Sequence, residues 1–377
     1  MAISDVLIVG GGVIGLSIAR ELHRNGVAKI TILERGVIGR EASYAAAGML
    51  APNAENDTHD DFYDLCATSC ALYPDFAAEL LSETGVDIEL GRSGTLYLSF
   101  SEEDFNVLNA RYLWQREAGD AVEKLSTVET LKAEPFVSPA VLESLFFPND
   151  WQVENRKLLE ALRRYAELNG IEIREQTKVR SLISENDRIV GVKTDDETFI
   201  ADATVLATGA WTSFIKIDDV PVPIAVKPIR GQMISFHPQQ KMFQKVVCSP
   251  RGYIVPRSDG RVLAGATVED AGFDQTPTEA GTKQLLNTAF EIAPALASFD
   301  IVDKWAGLRP FAADGFPVLG AVPGAENLFV ATAHYRNGIL LAPMTARLIC
   351  EKIVDGAASK YLEIFGVKRR VALDAKG

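Results

Sequence analysis

The sequence predicts an α/β (α+β) protein of two interleaved domains, one wound around a parallel sheet and one built on a mixed β-sheet. Three observations predict it. An apolar run, Val6-Leu7-Ile8-Val9, meets Gly10-Gly11-Gly12 and continues with helical spacing from Ile14 to Leu22, as where a buried parallel strand turns into its helix. Similar α/β segments recur near residue 170 and towards the C-terminus. The stretches between them are rich in short β-forming runs. A chain of 377 residues suits about two or three domains and buries a sizeable core.

The elements follow in order. Gly26 ends the first helix, and Ile30-Thr31-Ile32-Leu33 forms a second β-branched strand that stops at Glu34. Residues 61–84 read as helical, with Leu65, Leu72 and Phe76 on one stripe and Pro74 breaking or kinking it. Residues 94–100 read as a strand, and Ser101 starts a helix with acidic residues in its first turn. Residues 158–168 form an amphipathic helix closed by Asn169-Gly170. Strands are expected at 171–173, 178–183 and 189–194, the last turning at Asp195-Asp196. Residues 203–207 are another buried run, stopped by Gly209. From Pro221 to Thr267 the pattern is β, with strands at 231–236, 253–256 and 261–266. Residues 285–292 form a helix before Pro294, 327–331 a strand, and 344–354 a final apolar helix. The tail after Phe365 is polar and basic and is expected to fray.

Composition narrows the function. Hydrophobic residues at 47% and charged residues at 24% exclude a disordered or fibrous chain. With 51 acidic against 38 basic residues the net charge is -13, which sets nucleic acid aside as the main partner, because polyanion binding rests on clustered Lys and Arg. Cys66, Cys70, Cys248 and Cys350 do not make a disulfide framework; reduced, mostly buried thiols and a cytoplasmic location are expected. No apolar run reaches the roughly 20 residues of a membrane span, and the N-terminal run reads as a first strand rather than a signal peptide. The four histidines are scattered, so no metal site is expected. Neither a serine-hydrolase elbow nor a Walker sequence is present.

Gly10-x-Gly12-x-x-Gly15 between strand and helix is a dinucleotide-binding turn. The first glycine permits the tight turn, the second lets backbone approach a pyrophosphate, and the third lets helix pack on strand. The phosphates sit at the helix N-terminus. Glu34 ends the next strand where an acid bonds the ribose hydroxyls, which disfavours NADP and leaves FAD and NAD open. The small residues from Ser43 to Pro52 fit either tight packing or close approach to a cofactor. The strand end at Thr204 to Gly209, with Ala210-Trp211, fits either simple punctuation or closure over a cofactor. Arg309 and Arg336 are each flanked by apolar residues, where a guanidinium needs an anion, either an internal carboxylate or a ligand's. Tyr253 reads by default as a core tyrosine.

Taken together, GGGVIG, Glu34-Arg35, SYAAAGMLAP, ATGAW, GYIVPR, WAGLRP and HYRNGILLAP resemble the FAD-dependent amine oxidases of the D-amino acid oxidase superfamily, in family order from about residue 5 to about residue 355. The resemblance is strongest to the superfamily's glycine-oxidising branch, tied to thiamine synthesis. It implies a Rossmann-like FAD-binding domain over 1–85, 150–220 and 300–377, and a substrate domain over 86–149 and 221–299. It implies non-covalent FAD, contacted through Gly10, Gly12, Val13, Ile14, Gly15, Glu34, Arg35, Ala42, Ser43, Ala47, Gly48, Met49 and Val179. Gly209 and Trp211 join them, as does the segment His334, Tyr335, Arg336, Asn337, Gly338, Ile339 and Leu340 along the flavin. Arg309 and Tyr253 are implied to hold a substrate carboxylate, with Arg336 beside them. The implied reaction moves a hydride from a small amine or D-amino acid to the flavin, with dioxygen as acceptor, in a homotetramer. A quinone-linked dehydrogenase and a flavin protein without turnover stay open. Val268 stands where that branch suggests methionine and Arg251 where it suggests histidine, so the choice among glycine, sarcosine, D-alanine and D-proline is not read from sequence.

Overall fold

The computed structural model describes residues 3–369. Its first sheet has a parallel centre in the order Glu172–Arg174, Ile30–Leu33, Ile3–Val9, Thr198–Leu206 and Leu328–Thr332. Alternation along the first strand shows why it is apolar throughout. Val6 and Ile8 face one core and Leu7 and Val9 the other, so both faces are covered. On one face pack the helices Val13–Arg24, Asn155–Leu168 and Gly338–Val354, through Ile14, Ile18, Leu158, Leu162 and Leu348. On the other, the antiparallel ribbon Ser181–Glu185 and Arg188–Lys193 extends from Thr198–Leu206, burying Leu182, Ile189, Val192 and Phe199.

The second sheet runs Ile301–Phe311, Lys227–Phe236, Val262–Gly265, Gly252–Pro256, Val246–Ser249, Thr95–Ser99, Glu143–Phe147 and Glu123–Ser126. It is mixed: every pair is antiparallel except Val246–Ser249 with Thr95–Ser99. Helix Glu279–Ile292 covers one face, with Leu285, Ala289 and Ile292 against Ile234, Phe236, Ile254 and Ala264.

Several boundaries differ from the expectation: besides the three that follow, the helices expected from 158 and 285 start at Asn155 and Glu279, and the strands expected from 203 and 231 start at Thr198 and Lys227. A division at residue 300 assigns 301–311 to the FAD-binding part, but this strand pairs along its whole length with Lys227–Phe236 in the second sheet. The strand expected from 178 starts at Ser181. A short helix, Lys360–Ile364, follows the apolar helix expected from 344, which starts at Gly338 with Pro343 inside it. Proline there leaves the Ile339 carbonyl without its helical donor. The Tyr73 hydroxyl supplies one instead, and Ser69 Oγ donates to the next carbonyl, Leu340, at 2.7 Å. Pro74 acts as expected, separating Asp61–Ala71 from Tyr73–Thr84. Cys66, Cys70, Cys248 and Cys350 are free and buried. Among the described residues no helix is long and apolar enough to cross a membrane. The end of the expected frayed tail, 370–377, lies outside the described residues; before it, Arg369 pairs with Asp314 at 2.9 Å.

Candidate active site

The two sheets flank one cavity of about 1470 Å³. At its first-sheet end lies the glycine turn. Gly10 has φ +110°, and a Cβ there falls 2.3 Å from the Ala207 carbonyl oxygen. A Cβ on Gly15 falls 2.0 Å from the Gly10 oxygen. Gly15 therefore does not line the cavity; it lets the helix sit on the turn. Gly12 caps the helix without a side chain, which leaves the first N–H groups facing the cavity with Val13 and Ile14. The Val13 N–H donates to Ser43 Oγ at 3.1 Å.

Glu34 lies at the same end, buried, its two oxygens accepting from Gly11 N–H and Gly36 N–H at 2.9 Å each. A carboxylate has about four acceptor positions, so two stay open for hydroxyls. Arg35 stacks 3.6 Å above the Trp211 ring and pairs with Glu41. Val179 and Gly209 complete this end. Ala42 and Ser43 lead into the small-residue run, where Ala47, Gly48 and Met49 line the wall. Gly48 has φ +73°, and a Cβ there meets the Val153 oxygen at 2.0 Å. Small residues thus serve close packing and cavity wall together.

The segment Ala333 to Ile339 forms the opposite wall. Ala333 (φ 59°) and Tyr335 (φ 49°) are both left-handed, turning the chain around His334. Burial pushes the His334 pKa down to about 3, so its ring is neutral, bonded to Thr345 Oγ1 at 3.0 Å. Tyr335 N–H donates to Pro310 O at 3.0 Å, tying this segment to the strand of the second sheet that carries Arg309. Asn337, Gly338 and Ile339 line the cavity, whereas Leu340 is buried in the helix core and departs from the expected contact. Its place one residue further along the helix turns it from the wall.

Tyr253, Arg309 and Arg336 meet at the second-sheet end. Arg309 Nη1 donates to the Thr267 carbonyl at 3.0 Å, and Arg336 lies 5.5 Å from the Tyr335 ring centroid. Among the described residues neither arginine has a carboxylate ion-pair partner. The Tyr253 hydroxyl finds, among the described residues, only the Met233 sulfur, at 3.5 Å, a weak acceptor. Burial raises the Tyr253 pKa, with Arg309 and Arg336 pulling the other way, so it is a protonated donor at neutral pH. Two guanidiniums without a carboxylate partner and an underused hydroxyl are donors of the kind that a ligand carboxylate accepts. Glycine makes room for one of them: a Cβ on Gly231 falls 2.2 Å from both Arg309 Nη1 and Nη2. Gly231→Ala is expected to push the guanidinium aside, raising KM for a carboxylate substrate by roughly tenfold or more with little change in Tm. Steady-state kinetics and a melting curve check it.

The departures have definite surroundings. Val268 is 51% exposed and lines the cavity. Arg251 is held by Asp104 through two bonds, at 2.8 and 3.1 Å, and by Glu291, so its charge is already matched. Sequence reasoning missed Glu55, Tyr97, Arg111 and Gly231, all in the wall. The stretch Asn53-Ala54-Glu55 follows the small-residue run directly, and that adjacency was the available signal.

A glycine-cradled dinucleotide site that opens into the same cavity as Tyr253, Arg309 and Arg336 has the lining of a redox enzyme that brings a small molecule against a nucleotide cofactor. The family model for FAD dependent oxidoreductases matches residues 5–352, and the chain belongs to that family. The dinucleotide that the glycine turn left open is therefore FAD, and the glycine cradle, the free helix N-terminus and Glu34 fit it. The chain is 36% identical to glycine oxidase of Geobacillus kaustophilus (strain HTA426), over 97% of each chain. It is 37% identical to the bifunctional protein ThiO/ThiG of Synechocystis sp., over 97% of this chain but 54% of that protein, so it spans about half of that relative's length. The crystal structure of glycine oxidase from Geobacillus kaustophilus superposes with a TM-score of 0.93 at 35% identity, covering 98% of this chain and 99% of that one.

Proposed function

We propose that the protein oxidises glycine and related small amines or D-amino acids, with dioxygen as acceptor. Glycine, dioxygen and water would become glyoxylate, ammonia and hydrogen peroxide. The observation that carries this is the corner of Tyr253, Arg309 and Arg336, without a carboxylate of its own, in one cavity with the glycine turn. The glycine oxidase relatives support the substrate class.

FAD, when bound, supplies the two-electron acceptor for the α-carbon hydride. The chain's own residues bind and orient. The glycine turn and helix N-terminus hold the pyrophosphate, and Glu34 the ribose. Arg309 and Arg336 fix the substrate carboxylate, with Tyr253 O–H as a third donor. That leaves the α-carbon and amine as the only groups free to face the flavin. The apolar walls, Met49 and Met233 among them, exclude water.

Anaerobic bleaching of the flavin by glycine, sarcosine, D-alanine and D-proline, with peroxide formed under air, tests this reading. Failure of every amine to bleach it overturns the reading. Bleaching without peroxide points instead to a dehydrogenase. Tyr253→Phe is expected to raise KM about three- to tenfold with FAD content unchanged, since it removes one hydrogen bond of about 1 kcal/mol.

We further assign a homotetramer in the cytoplasm, feeding thiazole formation in thiamine synthesis. The family resemblance supports the assembly and pathway, and the four free, buried thiols support the compartment. Light scattering of the holoenzyme tests the assembly; a monomer at micromolar concentration would remove it.

A further inference from the structure

The cavity is lined by five carboxylates, Glu34, Glu41, Glu55, Asp57 and Glu291. Four are occupied. Glu34 accepts two backbone N–H groups. Glu41 pairs with Arg35 and accepts from Gln275 at 2.8 Å. Asp57 pairs with Arg111, and Glu291 with Arg251. Among the described residues, only the Glu55 side chain of the five has neither a hydrogen bond nor an ion pair.

Its placement is nevertheless heavily determined. Glu55 ends the single turn Pro52–Glu55. The buried Asp150 carboxylate accepts from Asn53 N, Asn53 Nδ2 and Ala54 N at 3.0, 2.8 and 2.8 Å. Gln115 Nε2 donates to Asn53 O at 2.9 Å, and Arg111 Nη1 to Ala54 O at 2.6 Å. The Tyr63 hydroxyl donates to Asn53 Oδ1 at 3.0 Å. Six bonds thus grip the two residues before Glu55 and none touches its carboxylate. Such rigid support behind a free group is how a binding residue is held in position.

Glu55 also lies within electrostatic reach of the carboxylate corner. Desolvation pulls the Arg336 pKa down, and Glu55 is the largest influence holding it up. Burial raises Tyr253 and Tyr97, and the Glu55 charge adds to both. The cavity that holds the two arginines thus also presents one free carboxylate, and an amino acid carries the complementary pair of charges.

We propose that Glu55 receives the ammonium group of the substrate, in the same cavity as the arginines that receive its carboxylate, and so selects amino acids over 2-hydroxy acids. This rests on the amine-oxidase reading above. Glycine and glycolate differ only in the group that Glu55 meets. A carboxylate favours the ammonium of glycine and gives glycolate no charge contact. Glutamine at this position keeps the shape and removes the charge.

The test compares the holoenzyme with Glu55→Gln, using glycine under anaerobic conditions, read by flavin bleaching against concentration, and glycolate, read by perturbation of flavin absorbance. Glu55→Gln is expected to raise the apparent Kd for glycine about 10- to 100-fold while glycolate binds equally or more tightly, with FAD content unchanged. Equal weakening of both ligands, an unchanged glycine Kd, or tightening of both overturns the proposal; the last is what a Glu55 that only neutralises Arg336 produces. Glu55→Ala, which also removes the charge, must reproduce the pattern. The wild-type arm judges the amine-oxidase reading separately: if glycine does not bleach the flavin but sarcosine, D-alanine or D-proline does, that amine replaces glycine. If none does, that reading fails before the substitution is read.

Discussion

Arg309→Ala is expected to raise KM for glycine roughly 30- to 1000-fold, which corresponds to about 2–4 kcal/mol for a charged, geometrically matched contact. The size follows from what surrounds it. The guanidinium lies over Gly231, steadied by the Thr267 carbonyl at 3.0 Å, and among the described residues no carboxylate satisfies it. Its charge is therefore available to a ligand and absent from the ledger of internal ion pairs. Because only the Thr267 carbonyl loses a donor and no internal carboxylate does, Tm should fall by no more than one neutral hydrogen bond accounts for, and the holoenzyme should stay yellow. Steady-state kinetics with glycine, set beside a melting curve, separate the two effects. Near-normal KM in a folded, flavin-loaded variant would show that the carboxylate binds elsewhere.

Arg257→Ala should act on stability instead, by about 3–5 kcal/mol. Arg257 is 4% exposed and faces the buried Glu154 carboxylate at 3.2 Å. Its Nη1 donates to the Val153 carbonyl at 2.8 Å, and its Nη2 to the Ala47 carbonyl at 2.8 Å and to Asn155 Oδ1 at 3.0 Å. One side chain from the second sheet thus fastens the cavity loop of Ala47 and Gly48 to the start of helix Asn155–Leu168. Truncation strands these acceptors and leaves Glu154 with Arg261, at 3.1 Å, as its cationic partner. Urea unfolding should show the loss of stability, and FAD should dissociate at lower temperature than from the unaltered protein. Unchanged stability would mean that solvent reaches this site and replaces the bonds.

How far each feature could be read depended on how local its cause is. The turn at Gly10 to Gly15 was legible because the positive φ of Gly10 and the approach of Gly15 to the Gly10 carbonyl are local demands for glycine, although the contact that excludes a Cβ at Gly10 comes from the distant Ala207. Glu34 followed from its distance along the same unit. Pro74 separated two helices where proline chemistry requires it. The start of the helix Gly338–Val354 was not legible, because its first turn is completed by Tyr73 and Ser69, which are distant in sequence, whereas its end at Val354 was read correctly. The segment 301–311 was not read as a strand at all, and the division at 300 came only from the resemblance; its pairing with Lys227–Phe236 is what places it in the second sheet.

The site divides the same way. Arg309 and Arg336 stood out by their apolar flanks, but the same flanks suit a salt bridge and a ligand site equally. Only the folded surroundings show which arginines are already matched. Arg251 meets Asp104, 147 positions away, and Arg257 meets Glu154, while Arg309 and Arg336 meet no carboxylate among the described residues. Glu55 sits in a stretch with no motif at all, and its freedom is visible only against four occupied neighbours.

By itself, then, the sequence determined the dinucleotide turn, the alternation of strands and helices around it, and the residue types able to meet a carboxylate. These are settled by backbone sterics and by burial of neighbouring residues, which act over a few positions. The tertiary structure alone decided which charges remain unpaired, because pairing is a property of distance in space, and the partners come from segments far apart in the chain.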